Sequence, residues 1–169
     1  MNSRKAQIWV ETVMYTLIGI SIIGILLAAS RPKIQSIQDR LVIEQMIDSM
    51  NELHKKILEV QDRPGNQNVV SMKISKGNLI LDKEEDSIRW EMDSTYKYSQ
   101  PEVPVSLGDL TILTRGENRF KVQISLNYSD IGLELNDNKD KISLEESSRQ
   151  YNLLIRSEAN KIYIEVRDI

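Results

Sequence analysis

The first hydrophobic pattern in the chain is an almost wholly apolar run over residues 8–29, in which Glu11 is the only charged residue. A helix of this length spans roughly 33 Å, close to the ~30 Å hydrocarbon thickness of a bilayer. Only a helix or a closed barrel satisfies the backbone there. A cleaved secretory signal has a shorter apolar region of about 7–15 residues. We therefore predict a retained transmembrane helix over residues 7–31.

After Pro32 the apolar residues recur three or four positions apart, the spacing of an amphipathic helix. This stripe consists of Ile34, Ile37, Leu41, Ile43, Met46, Ile47, Met50, Leu53, Ile57 and Val60. Pro32 lacks a backbone N–H and predicts a kink, and a turn sequence over residues 62–65 ends the pattern. The expected element is an amphipathic spine helix over residues 32–63, packed on the core of the remaining chain.

Beyond residue 64 the pattern changes to an alternation of apolar and polar residues, clearest over 88–92, 120–128 and 162–166. Period-two alternation is typical of half-buried antiparallel strands. Turn sequences rich in Gly, Asn and Asp separate these segments. The predicted fold class is α+β: a long N-terminal helix kinked near Pro32, followed by an antiparallel β domain over residues 64–169, arranged as a meander or small sandwich.

Composition removes several classes of chemistry. The 169 residues include no cysteine and one histidine, His54, which excludes disulfides, a cysteine nucleophile and a multi-histidine metal cluster. The net charge of −3 lacks the basic footprint of a nucleic-acid binder. His54 is expected to face solvent or cap a helix, and the acidic segments 82–86 and 136–140 are expected to be solvated turns. We expect no catalytic residues, cofactor or metal, and hence no enzyme.

The charges around the apolar run bear on membrane insertion. Arg4 and Lys5 precede it, and Arg31 and Lys33 follow it, so the count of positive charges is near balanced and does not decide the orientation. A short N-terminus in the cytoplasm with the large β domain outside is the simpler arrangement. Glu11 costs ~2.5–3.5 kcal/mol at the centre of a membrane helix and less near an interface. Two interpretations stay open: an interfacial charge, or a carboxylate that pairs with a partner's cation when helices pack together.

The sequence Arg4-Lys5-Ala6-Gln7, followed by an apolar run that contains Glu11, resembles the class III signal peptide of the type IV pilin-like superfamily. The glutamine after the small residue is similar to archaeal pilins and archaellins in particular. The resemblance covers about residues 4–34. It implies a leader over residues 1–6, removed by a prepilin-type peptidase between Ala6 and Gln7, and a lollipop-like pilin fold.

The resemblance also implies a function. The chain would be a major or minor structural subunit of a cell-surface filament, held in the membrane before assembly and outside the cell afterwards. Its partners would be copies of itself or related pilin subunits, the peptidase and assembly platform, and the bilayer. Glu11 would pair with the Gln7 amine of a neighbouring subunit and set the register, and Pro32 would mark the helix bend.

Two further points stay open at this stage. The alternative function is a single-pass, signal-anchored protein that keeps residues 1–6, does not polymerise, and binds something through an extracellular β-rich domain. Asn127-Tyr128-Ser129 is an N-x-S sequon, so Asn127 is a candidate N-glycosylation site on an exported protein. Alternation along its strand predicts that Asn127 points away from the apolar face and is exposed.

Overall fold

The computed structural model describes residues 3–63, 65–136, 139–158 and 161–168, with side chains described from Ile8 onward and not for Asp168. Its first element is one helix, α1, over Ser3–Gln61. Pro32 lies inside α1, and the two helical segments predicted on either side of it form one continuous element. Because proline has no N–H, the carbonyl of Ala28 loses its usual helical donor at this point.

The chain divides into two compact units, Met1–Ile37 and Gln38–Ile169. The first unit is the N-terminal part of α1. The second unit contains the rest of α1 and every strand that the structure describes. The division therefore falls within the helix, a few residues after Pro32.

The described residues of the second unit include ten strands. They are β1 (Gln67–Met72), β2 (Asn78–Asp82), β3 (Ser87–Ser94), β4 (Val105–Leu107), β5 (Leu110–Arg115), β6 (Phe120–Asn127), β7 (Leu133–Leu135), β8 (Lys141–Leu144), β9 (Tyr151–Glu158) and β10 (Lys161–Asp168). One sheet has the order β1-β9-β10-β7 and the other the order β4-β5-β6-β3-β2-β8. The predicted β domain is confirmed.

One strand pair departs from the antiparallel pattern. β7 pairs with β10 in parallel, with Leu133 opposite Ile162 and Leu135 opposite Ile164. After β7 the chain forms β8 in the other sheet and then β9, and the next strand, β10, lies beside β7 and runs in the same direction as β7. All other described pairs are antiparallel. Alternation within one strand predicts burial, but it does not specify the direction of its neighbour.

A single hydrophobic core joins the helix and both sheets of the second unit. From Ile43 onward the predicted helical stripe is buried, and it packs with strand residues of the two sheets, including the fully buried Trp90 and Ile155. The first part of that stripe is different. Ile34, Ile37 and Leu41 are 53%, 55% and 58% exposed, so the prediction that the whole stripe packs on the core is wrong for these three residues.

Asp39 attaches the start of the helix in the second unit to the loops that adjoin β2 and β3. Its buried carboxylate accepts hydrogen bonds from Lys76 Nζ at 2.6 Å and from the backbone N–H and hydroxyl of Thr95 at 2.6 and 2.8 Å. Burial alone would raise the pKa of Asp39, but the bonds from Lys76 and Thr95 outweigh it and hold the pKa below its ordinary value. The bonds fix the position of the helix relative to these two loops.

Candidate membrane and assembly segment

The first unit presents an apolar surface that its own residues do not cover. Every large hydrophobic side chain from Ile8 to Ile37 is exposed, and the two aromatic residues Trp9 and Tyr15 are 71% and 74% exposed. The most apolar stretch has a mean hydropathy of 2.2 and no buried residue. By length and composition this helix can cross a membrane. A surface of this size in water marks a site for lipid or another protein.

Four serine and threonine hydroxyl groups within this segment are already paired. Each donates to the backbone carbonyl four residues earlier, at distances of 2.7–2.9 Å. The donors are Thr12, Thr16, Ser21 and Ser30, and their acceptors are the carbonyls of Ile8, Thr12, Leu17 and Leu26. In a medium without water an unpaired hydroxyl costs several kcal/mol. This pattern removes that cost for these four groups, which makes them compatible with lipid and with a dry bundle of helices.

The residues predicted for processing and register lie at the start of the same helix. Arg4, Lys5, Ala6 and Gln7 fall within α1, but their side chains lie outside the described part of the structure, so the predicted cleavage site and basic pair stay predictions. Glu11 is the first acidic side chain described, and it is exposed on the apolar surface.

The helix also has two positions without side chains. A Cβ added to Gly19 or Gly24 would meet no atom within 4 Å. Their five-residue spacing does not form the GxxxG pattern of close helix dimers.

His54 differs from its expectation. It is neither solvent-facing nor a cap: its side chain is 17% exposed, and Nε2 lies 3.2 Å from Asp109 Oδ2. Nδ1 lies 3.0 Å from the hydroxyl oxygen of Tyr128. A carboxylate can only accept, so the proton of a neutral imidazole lies on Nε2 and Tyr128 donates to Nδ1. Sequence reasoning missed this set because its members come from three separated segments.

Asp109, His54 and Tyr128 are linked in the order acid, histidine and hydroxyl of a catalytic triad, but the hydroxyl is not accessible to a substrate. The side chain that would act as nucleophile, Tyr128, is 3% exposed, and burial raises the pKa of its hydroxyl, with a smaller contribution from the charge of Asp109. A buried neutral phenol cannot reach a substrate. The contact between Asp109 and His54 instead attaches the turn between β4 and β5 to α1.

The acidic segments are only partly solvated. Asp82 is buried, which corrects the expectation of a wholly solvated turn: its carboxylate lies 3.4 Å from Lys141 Nζ and 3.5 Å from Arg89 Nη2, and accepts from the Glu85 N–H at 3.2 Å. In the second segment Asp137 and Asn138 lie outside the described residues. Among the residues that the structure describes, no group of three acidic or histidine side chains could hold a metal ion.

Asn127 lies at the end of β6 and is exposed, as the alternation predicts. Its side-chain oxygen accepts a hydrogen bond from the Ser129 N–H at 2.8 Å, while Tyr128 between them is buried. The buried ring fixes the sequon and leaves both flanking residues accessible. Glycosylation at Asn127 stays a prediction.

Comparisons with known proteins add no relative from which a role could be transferred. The chain matches no protein-family model, no curated protein and no solved structure. Its function must therefore be inferred from its own residues.

Proposed function

We propose that this protein is a structural subunit of a cell-surface filament of the type IV pilin-like class. It is made as a membrane-anchored precursor with its N-terminus in the cytoplasm. A prepilin-type peptidase cleaves between Ala6 and Gln7, and the mature chain polymerises through its N-terminal helix with copies of itself or related subunits. The observation that carries this proposal is the uncovered apolar surface of the first unit, with Glu11 on it.

The length of that surface favours assembly over anchoring alone. A bilayer covers about 20 helical residues, which the run over residues 8–29 already supplies. Arg31 and Lys33 follow that run, yet Ile34 and Ile37 beyond them are still 53% and 55% exposed. Lipid does not account for apolar side chains past the charged end of a span. Neighbouring subunits do, because a filament brings other chains against the segment beyond the thickness of the bilayer.

Glu11 has a defined role in this proposal. When the helix leaves lipid for a bundle of like helices, its carboxylate loses solvation, and a cation from a neighbouring chain stabilises it. The free amine of Gln7, created by cleavage in a neighbouring subunit, is that cation. A pair formed between two chains fixes their axial register.

The first experiment is intact-mass and N-terminal peptide analysis of the full chain from native membranes and from sheared surface material. A mature chain that starts at Gln7 and sediments as filaments is the expected result. A chain that starts at Met1 or Asn2 would favour the anchored, non-polymerising alternative. A start near Ser30 would indicate ordinary signal cleavage and would exclude both.

A matched pair of variants tests the register role. Glu11→Gln keeps the size of the side chain and removes its charge, so we expect cleavage before Gln7 to persist while sedimentable polymer falls at least tenfold. Glu52→Gln makes the same change at an exposed position in the second unit and should leave the polymer unchanged. Equal amounts of filament from Glu11→Gln and wild type would refute the proposed pairing.

A further inference from the structure

The edge strand β4 carries apolar side chains that the protein leaves uncovered. Val105 lies opposite Ile112 and Leu107 opposite Leu110 in the antiparallel pair of β4 and β5. Directly opposite residues point to the same face of a sheet. Ile112 and Leu110 are fully buried, whereas Val105 and Leu107 are 41% and 45% exposed. The apolar face of the six-stranded sheet thus extends to β4, where the rest of the protein does not bury it.

Val103, two residues before Val105, is also 45% exposed. We call Val103, Val105 and Leu107 the β4 shelf. Such an apolar edge in water invites association with another chain.

Contacts at both ends hold the shelf in place. At one end Glu102 has a positive φ of 61°, which is unusual for a residue with a side chain, and its N–H donates to the Thr114 carbonyl at 2.8 Å. At the other end Asp109 contacts His54 at 3.2 Å. A surface fixed in this way binds with less loss of conformational entropy than a mobile loop.

The ends of the shelf are acidic. Glu102 is exposed, and the side chain of Asp109 is 75% exposed. A partner suited to this surface has two or three apolar side chains with basic residues beside them.

The first unit contains a segment of that description. Ile34 and Ile37 are exposed and three residues apart, so they lie on one face of the helix. Arg31 and Lys33 immediately precede them. The two isoleucines are separated by about 4.5 Å along the helix axis, and alternate residues of a strand by about 6.6 Å, so two side chains from each surface can interdigitate.

We propose that the β4 shelf of one subunit docks on residues 31–37 of a second copy, with Val105 and Leu107 against Ile34 and Ile37. The basic residues of that helix segment then lie beside Glu102. This inference rests on the proposed filament and adds to it a contact made by the β domain. The two surfaces are different patches of one chain, so a contact that each copy makes with the next copy, and that the next copy does not return, extends into an open helical polymer when its rotation does not close.

The absence of cysteine from the natural chain permits a direct test. One copy carries Ile37→Cys, a second copy with a tag of different mass carries Leu107→Cys, and both full-length proteins are expressed together. Filaments are then collected and oxidised. The expected product is a disulfide-linked mixed dimer, which by construction can form only between two chains.

The matched control replaces Leu107→Cys with Val69→Cys. Val69 is a 58% exposed apolar residue on β1, in the other sheet. The mixed product with Leu107→Cys should exceed that with Val69→Cys at least tenfold. Equal yields, or no mixed product in filaments that do form, would overturn the docking contact and leave the filament proposal standing. If the mature chain does not start at Gln7 and no filament forms, both proposals fail.

Charge reversal provides an independent measurement on the same contact. Glu102→Lys should reduce the amount of sedimentable polymer several-fold, since it places a cation beside Lys33 of the neighbour. Adding Lys33→Glu to the same chain should restore most of the loss. Near-UV circular dichroism of the detergent-solubilised full chain checks that both variants fold. If folded Glu102→Lys polymerises like wild type, the electrostatic part of the docking geometry is wrong.

Discussion

The substitution Asp39→Asn tests how far one buried carboxylate stabilises the second unit. The carboxylate accepts three hydrogen bonds from Lys76 and Thr95, all between 2.6 and 2.8 Å. Asparagine keeps one acceptor oxygen for Thr95 but turns an N–H₂ donor toward the Lys76 ammonium. A hydrogen bond to a charged group contributes about 1.5–3 kcal/mol. The Lys76 side chain is 35% exposed and regains water when its partner is lost, so we expect a loss of about 2 kcal/mol.

The assay is urea unfolding of the detergent-solubilised full chain, followed by near-UV circular dichroism. Asp93→Asn, at an exposed position on β3, is the matched control and should change the unfolding free energy by less than about 0.5 kcal/mol. A loss for Asp39→Asn as small as that of the control would refute the reasoning.

The same variant has a distinct pH dependence. The pKa of Asp39 is lowered in the folded state, so its contribution is complete above the unfolded value of about 3.9 and is lost as the pH falls through the folded pKa. The difference between wild type and Asp39→Asn should therefore be constant near neutrality and narrow below about pH 4. A difference that does not narrow in acid would show that the loss comes from packing and not from the charge.

Three further predictions concern the same domain. Ile57→Ala should lower the unfolding free energy by about 2–5 kcal/mol because Ile57 is fully buried, whereas the exposed Ile37→Ala should change it by less than about 0.5 kcal/mol. Urea unfolding midpoints check the pair, and similar losses for the two variants would contradict the assigned burial. Gly77→Ala should destabilise the protein by roughly 2 kcal/mol or more, since φ is +81° and the new Cβ would overlap the backbone of β3. Gly108→Ala also has a positive φ but open space around the new Cβ, so it should cost only about 1 kcal/mol. Equal decreases in melting temperature for the two variants would exclude a contribution from the overlap with β3. Tyr128→Phe should lose about 1 kcal/mol with the bond to the imidazole, and an unchanged urea midpoint would show that this bond adds nothing.

The periodic features of the fold could be predicted from the sequence, because burial repeats along the chain. The alternation over residues 120–128 predicts the buried face of β6, and the spacing from Ile43 to Val60 predicts the helix face in the core. The exposure of Ile34 could not be predicted in this way, since the spacing there is the same and only the extent of the domain decides what is covered.

Contacts between distant segments leave no periodic signal. Nothing in the sequence around His54 predicts its contacts with Asp109 and Tyr128, which lie 55 and 74 residues away along the chain. The parallel direction of β7 against β10 depends on the path of the chain through the other sheet. At the N-terminus, Glu11 could be recognised from the sequence as the only charged residue within an apolar run, whereas its proposed pairing with a second chain leaves no signal in the sequence of one chain.

The two parts of α1, which belong to different units, are stabilised in different ways. From Gln38 onward the helix is held by a core shared with both sheets, so its amides should exchange with solvent only when the whole unit unfolds. Residues 8–37 have no large apolar side chain buried, and a helix without such packing is marginal in water. Their amide exchange should therefore report the surroundings: fast in water, slow in lipid or among other helices. A step in amide protection near Ile37 would let hydrogen exchange distinguish a subunit that is free from one that is covered, with no label on the chain.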